Sequence, residues 1–386
     1  MIFKSFDRIS YAYVLESELP IKLGSVWYLV QHSLSSFQKI QQHFGSCEQA
    51  TQKHHLAEWS LLGLHANHLK RLQEFQTAQG QQKFEQLIQL ICQHSDFILT
   101  PEDIGYPTQL LPYPDHPPIL FGQGQAQALL QPQIAMVGSR KPSPHGRQVA
   151  YDFAYYLSEK GFYINSGLAH GIDEAAHRGG LAHHRTIAVT GTGLDTVYPS
   201  QNIKLAQQIT QSGAIVTEFL PTTMPLQQHF PRRNRIVSGL SLGVVVVEAA
   251  LKSGSLITAN EAANQGKMVF AIPGHIYSEH HQGCHQLIRE GATLVDHPEQ
   301  VIEDLALPTQ WQAQKQPEEV LAVPSSIPTH LIALYQLLDW VGQDLDQLAQ
   351  RYQASISELT AQLMELELLG LCMQQAGCYL RCRPML

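Results

Sequence analysis

The chain has 386 residues, with 25 Lys and Arg against 33 Asp and Glu, a net charge of −8, and 44% hydrophobic residues. That length holds two or three domains with full cores, and the acidic balance excludes a global basic field, so a nucleic-acid partner would have to be held by a local cluster of cations. Six cysteines without a C-x-x-C pair argue for reduced structural thiols and against a disulfide framework. The start, MIFKSFDRISYAY, has no basic segment leading into an apolar stretch, and no run approaches the roughly 18 apolar residues of a spanning helix, so the expectation is a soluble, cytoplasmic protein with no membrane partner.

Residues 1–96 read as a helical domain. Val26, Leu29, Val30 and Leu34, then Leu61, Leu62, Leu64 and Leu69, recur at helical intervals, and Phe44-Gly45 marks a stop. Eight basic residues balance eight acidic ones here, so no basic face stands out and a packing or interaction role is favoured over nucleic-acid contact. From 97 to 132 the proline-rich composition rules out a helix, while the Ile119-Leu120-Phe121 run argues for an ordered segment laid over the next domain.

The stretch Gln133–Asp173 is one strand–turn–helix–strand–turn unit. Ile134–Val137 breaks into Gly138-Ser139-Arg140, Val149, Phe153 and Leu157 follow at helical spacing, and a second apolar run ends in Ser166-Gly167. The alternation continues through Thr186–Thr190, Ala214–Thr217, Val244–Val247, Val269–Ile272 and Thr293–Val295, which predicts a parallel sheet with helices on both faces. Nearly every strand opens into small residues on one edge, a crevice able to cradle phosphates.

The ligand class follows by elimination. Gly191-Thr192-Gly193 is only part of a dinucleotide fingerprint, and no G-x-x-x-x-G-K-[ST] occurs. The densest basic patch is His229–Arg235, containing Phe230, Arg232, Arg233 and Arg235. With Arg140, Lys141 and Arg147 it predicts a positive rim suited to a polyanionic chain. Asp173, ahead of Glu174-Ala-Ala-His177, reads as a cap on the first turn of the next helix; His177 reads as buried structure, and Glu248 as a buried carboxylate satisfied by backbone or Arg. His281-x-x-Cys284 has ligand spacing, but no metal or cofactor is expected.

The segments VGSR (137–140), SGLAHGID with AAH (166–177), GTGLDTVYP (191–199), FPRRNRIVSGLS (230–241), VVVVEA with SGSLITA (244–259) and GCHQLIREGATLV (283–295) resemble the DprA/Smf family of DNA-processing proteins over about residues 97–306. The resemblance implies an α/β, extended Rossmann-like domain (97–306) after an N-terminal helical domain of the SAM or helix-hairpin-helix kind. It also implies non-catalytic single-stranded DNA binding, protection of incoming DNA, homodimerisation, and loading of RecA during natural transformation. Carried over by motif, the strand site falls on Gly138, Ser139, Arg140, Ser166, Gly167, Gly171, Asp173, Phe230, Arg233 and Asn234, the N–H groups of Gly138 and Gly167 approaching phosphate. The family often has a lysine after Tyr198-Pro199, where this chain has Ser200; Lys204 lies one turn further on. Apolar surface at Leu287, Ile288, Leu294 and Val295 is the expected dimer patch.

Residues 307–325 read as a linker. Beyond it, three helical patterns and two short strands bracketing Gly377 form a winged helix over 326–386. Its third helix has no Lys or Arg but carries Glu358, Glu365 and Glu367, which favours an interaction role over duplex reading. A competing function is a nucleotide enzyme of the nucleoside-monophosphate glycosidase type. The segment Ser253–Glu261 sits where such enzymes have P-G-G-x-G-T-x-x-E, but it lacks the paired glycines; Glu261 supplies a carboxylate.

Overall fold

Apolar runs of four or five residues, too short for helices and bounded by glycine, resolve into nine strands of one sheet in the computed structural model, which describes residues 25–52, 55–305, 327–338, 342–352, 354–375 and 377–382. The strands are β1 (Phe97–Leu99), β2 (Leu120–Gly124), β3 (Gln133–Val137), β4 (Tyr163–Ser166), β5 (Thr186–Val189), β6 (Ala214–Thr217), β7 (Gly243–Val246), β8 (Met268–Ala271) and β9 (Thr293–Leu294). Their order is β1-β2-β6-β5-β4-β3-β7-β8-β9. From β6 to β9 all neighbours are parallel, as predicted, and the order reverses between β3 and β7. That is the switch point at which such sheets meet ligands. The proline-rich segment adds two antiparallel edge strands, β2 on β6 and β1 on β2. Its apolar run pairs with the sheet instead of merely lying over it.

Helices before the sheet are α1 (Leu34–Phe44), α2 (Cys47–Ala50), α3 (Leu56–Leu61), α4 (Ala66–Phe75) and α5 (Ala78–His94). Those within it are α6 (Pro144–Glu159), α7 (Ile172–Leu181), α8 (Ile203–Ser212), α9 (His229–Leu240), α10 (Ser255–Asn264), α11 (Gln282–Arg289) and α12 (Pro298–Asp304). Among the described residues none is long and apolar enough to cross a membrane. The period-2 alternation of each strand sorts its side chains to two faces. Ala135, Val137, Val244 and Val246 pack with Ile236, Val237 and Leu240 of α9 and Ala259 and Ala262 of α10. Ile134, Met136 and Val245 pack with Ala150, Phe153 and Leu157 of α6 and Ala175 and Ala176 of α7. Ser143 begins α6 by accepting the Gly146 N–H, with Pro144 at the first helical position.

The helical segment packs on the same face as α8. Trp27, Leu29, Phe37, Trp59, Leu72 and Ile91 share a core with Phe121, Ala188, Leu205, Ile209 and Ile215, so the boundary expected at 96/97 falls inside one compact unit, residues 1–307. Two hydrogen bonds fix it to the end of β6: Trp27 Nε1–H donates to the Glu218 carbonyl at 3.0 Å, and the Leu220 N–H donates to His32 Nε2 at 3.1 Å. Of the expected dimer patch, Leu287 and Val295 are buried in the unit's own core, while Leu294 on edge strand β9 is 49% exposed.

The second unit, from residue 308, has the winged-helix order: α13 (Ile332–Leu337), β10 (Gln343–Asp344), α14 (Leu345–Tyr352), α15 (Ile356–Leu368), β11 (Cys372–Gln375) and β12 (Cys378–Arg381), with strands ordered β10-β12-β11. Leu331, Leu334, Leu348, Leu359, Leu363 and Leu366 form its core. The predicted linker, 307–325, lies outside the described residues apart from the division between units.

Candidate nucleic-acid interface

Four turns meet at the carboxyl edge of the sheet: 138–142 after β3, 167–171 after β4, 190–198 after β5 and 218–228 after β6, the last leading into α9. The first two interlock. The Ile172 N–H donates to the Ser139 carbonyl at 3.1 Å, and Gly171 adopts φ +85° with that carbonyl 2.4 Å from where a Cβ would sit. Only glycine meets both demands.

The glycines expected to admit phosphate admit protein instead. A Cβ on Gly138 would meet Ile172 and the Glu248 carbonyl, and one on Gly167 would overlap the Arg233 guanidinium. The Gly167 N–H is already donated to Asp173 Oδ2 at 3.1 Å, and the Ala169 N–H approaches the same oxygen at 3.4 Å. Asp173 therefore caps the turn before its helix, not the first turn of α7. Burial raises its pKa against the pull of Arg233 and those N–H groups. Ser166 is equally internal, its hydroxyl donating to the Met136 carbonyl at 2.6 Å. His177 is buried, hydrogen-bonded through Nδ1 to Thr186 Oγ1 at 2.7 Å and accepting the Leu168 N–H at Nε2; burial lowers its pKa to about 3, so it stands neutral.

The arginines of α9 divide in the same way. Arg232 forms a two-pronged pair with Glu218, Nε to Oε1 at 2.9 Å and Nη2 to Oε2 at 2.8 Å, its guanidinium also over Trp27 and Phe219. Arg235 reaches the same carboxylate at 2.6 Å. Glu218 is 0% exposed, and a buried carboxylate needs such partners. Arg233 is also buried; it donates to the Gly167 carbonyl at 2.8 Å, and burial lowers its pKa to about 10. The predicted positive rim is corrected accordingly: Arg232 and Arg235 neutralise a carboxylate inside the fold, and Arg233 braces the β4 turn. Residues three apart on one helix face share a partner, and nothing in the local sequence names Glu218 as that partner.

Exposed cations near these turns include Arg140, Lys141, Arg147 and, at the start of α8, Lys204. Asn202 ties α8 to the β4 turn through the Leu168 carbonyl at 3.0 Å. Ser139 is half-buried and turns the loop, its Oγ accepting the Lys141 N–H at 3.1 Å. This presents Arg140 over the half-buried Phe230 ring at 5.3 Å from its centroid, and Tyr198, 43% exposed, packs against the same ring at 5.5 Å. Asn234 lies half-buried one turn of α9 beyond Phe230. A guanidinium beside a pair of tilted aromatic rings is a combination able to hold a phosphate and an unpaired base together. Tyr198 was not singled out in the sequence; its signal is an aromatic between the Gly-Thr-Gly turn and Pro199.

Across the switch point the edge is closed. Glu248, 0% exposed, accepts the Ser143 N–H at 2.9 Å and the Ser143 hydroxyl at 2.5 Å, placing its carboxylate at the N-terminus of α6. A Cβ on Gly146 would strike that carboxylate. An anion-binding helix end is thus filled by the protein's own anion, satisfied by Ser143 and not by an arginine. Glu261 lies half-buried on α10. Cys284 of the His281-x-x-Cys284 spacing is buried against the Val246 and Val247 carbonyls, and burial pushes its thiol up to about 12.

A family model described as DNA recombination-mediator protein A matches residues 97–306, and one described as the DprA winged helix domain matches 324–378. The chain belongs to the DprA/Smf family. It is 43% identical over 283 residues to protein Smf of Escherichia coli, covering 72% of this chain and 75% of that one. It is 45% identical over 201 residues to DNA processing protein DprA of Streptococcus pneumoniae, covering 52% and 71%. The X-ray structure of the latter protein superposes with a TM-score of 0.63 at 34% identity, over 73% of this chain and 97% of that one. The structure of DNA processing protein A from Helicobacter pylori, described for its single-stranded DNA binding mode, superposes with a TM-score of 0.50 at 32% identity, over 54% and 95%.

Proposed function

We propose that this chain binds single-stranded DNA along the carboxyl edge of its sheet without hydrolysing it, protects incoming strands, and loads RecA onto them during natural transformation, acting in the cytoplasm as a homodimer. The observation that carries the binding step is the exposed Arg140 guanidinium held over Phe230 with Tyr198 behind it. Single-strand binding by the Helicobacter pylori relative supports the same reading. Leu294 on the β9 edge, with half-buried Ile288 on the preceding helix α11, is the apolar surface that supports two-fold pairing. The glycosidase reading has less support, because Ser253–Glu261 lacks the paired glycines and its carboxylate, Glu261, lies half-buried on α10.

Arg140→Ala tests the site. Arg140 is exposed, so the variant should fold and melt like the parent. It should weaken single-strand binding similarly on mixed sequences and flatten the salt dependence by about 0.7 units, one phosphate's share. A folded variant with an unchanged salt slope removes Arg140 from the interface.

A further inference from the structure

The helical segment before the sheet carries backbone strain just ahead of α1. Gln31 and His32, adjacent and neither of them glycine, adopt φ +44° and +66°, a left-handed conformation that such residues hold where their surroundings impose it and that clusters at functional sites. The strained pair aims the half-buried His32 ring at the end of β6. Its Nε2 accepts the Leu220 N–H at 3.1 Å, and the ring meets Phe219 edge-on at 5.2 Å. Burial lowers the His32 pKa to about 3, so the ring is neutral and able to accept. Phe219 in turn stacks on His229 at 4.4 Å. From the same segment Trp27, which is buried, donates to the Glu218 carbonyl at 3.0 Å and shares the Arg232 guanidinium with Phe219, at 5.6 Å and 5.4 Å from the two rings. His229 and Arg232 flank Phe230 in the first turn of α9.

Among the described residues no side chain caps the start of α9, and its first turn holds no carboxylate, so neither of the usual local devices fixes where that turn sits. The contacts from the helical segment do. We propose that Trp27 and His32 are positioning residues for the strand site: they set the first turn of α9 so that the Phe230 ring lies under Arg140, and the helical segment thereby governs single-strand affinity without touching the strand. The contact between Arg140 and Phe230, 5.3 Å to the ring centroid, joins two different turns of the sheet edge, and it is only as constant as the turn that carries the ring. The separations along the chain, 191 residues from Trp27 to Glu218 and 188 from His32 to Leu220, put this determinant outside the motifs that supply the site. The inference rests on the single-strand reading above and adds to it what holds the ring in place.

Fluorescence anisotropy of a labelled mixed-sequence single strand is read on the full chain and on His32→Leu, His32→Gln, Arg140→Ala and the pair His32→Leu with Arg140→Ala, each well below its own melting transition. His32→Leu removes the acceptor and should weaken binding by about fivefold or more, while His32→Gln, which keeps an acceptor for the Leu220 N–H, should stay within about twofold of the parent. Because His32 acts through the ring beneath Arg140, the double variant should bind within about twofold of the weaker single variant. A side chain that only stabilised the fold would leave the affinity of the folded variant unchanged, or its effect would multiply with that of Arg140→Ala. Either result overturns the positioning role and leaves the single-strand reading standing. Should His32→Leu not fold, Trp27→Phe, which keeps a ring for Arg232 but loses the N–H to the Glu218 carbonyl, takes its place in the cycle with the same expectations for affinity and coupling. A parent that binds no single strand overturns both.

Discussion

The arginine at the β3 turn and the arginines of α9 meet at one end of the sheet and serve opposite purposes. Arg140 stands in solvent over an aromatic ring, while Arg232 and Arg235 are pulled inward by Glu218 and Arg233 lies beneath the Gly167 turn. Guanidinium groups that look alike as a basic patch thus split into an exposed cation and structural cations. What divides them is the presence of a buried acceptor within reach. The aromatic beside the patch, Phe230, belongs with Arg140 although its chain neighbours face the other way.

The largest expected effect breaks the structural set. Arg232→Ala with Arg235→Ala leaves the Glu218 carboxylate buried without a countercharge, which should cost about 3–5 kcal/mol. The melting transition of the first unit should fall well below the parent's. Adding Glu218→Gln removes the uncompensated charge and should restore part of the loss. If the double variant instead melts like the parent and loses only single-strand binding, these arginines face the strand and the division proposed here collapses.

A smaller effect separates the interior from the surface by pH. His177 is buried and His32 half-buried, each with its pKa lowered to about 3. In the unfolded chain they titrate near 6.5. Between those values the unfolded state takes up protons that the folded state refuses. Their contribution is therefore fully present above about 6.5 and is lost progressively as pH falls toward 3. Asp173 works in the opposite sense, because its raised pKa favours the fold on acidification. Replacing His177 by Gln, which keeps an acceptor for the Leu168 N–H, should flatten the fall in melting temperature between pH 6.5 and 4.5, at some cost in stability at neutral pH. An unaltered slope would mean that His177 does not hold the β4 turn as a neutral ring.

The sequence made the sheet legible because parallel strands buried on both faces are short, unbroken apolar runs, and seven such runs followed one another with helix-length gaps. The edge carrying the site was legible because Gly-Ser-Arg and Ser-Gly-Leu-Ala-His-Gly follow consecutive runs. The partners of buried charge were not. Glu218 lies 14 residues before Arg232 and on a different element, and Glu248 meets Ser143 across 105 residues. Such pairings depend on strand order, which periodicity does not encode. Likewise, the packing of Trp27 and His32 against the end of β6 turned an expected separate domain into part of the first unit.

The smallest expected effect concerns the winged helix. Its fold is of a kind that reads duplex DNA through the third helix, here α15, but α15 carries Glu358, Glu365 and Glu367 and no cation. Residues 325–386 hold three basic side chains against six acidic ones, a net of −3, with Asp339 and Arg383 of that count outside the described residues. Arg381 lies over the Tyr335 ring at 4.0 Å within the domain's own fold. A duplex presents one phosphate per roughly 1.7 Å, and a face without cations releases no counterions on approaching it. The exposed Ile356, Met364 and Leu368 lie eight and four residues apart along α15, a surface better matched to a protein than to a phosphate backbone. Deleting 326–386 should therefore leave single-strand affinity within about two- or threefold of the full chain, because Arg140, Phe230 and Tyr198 remain and a net-negative domain adds no phosphate contact. Gel-shift titration of single- and double-stranded oligonucleotides across a salt series, with and without the deletion, measures this. A loss of single-strand affinity that steepens at low salt, or duplex binding that vanishes with the deletion, would place phosphate contacts in the winged helix despite its charge.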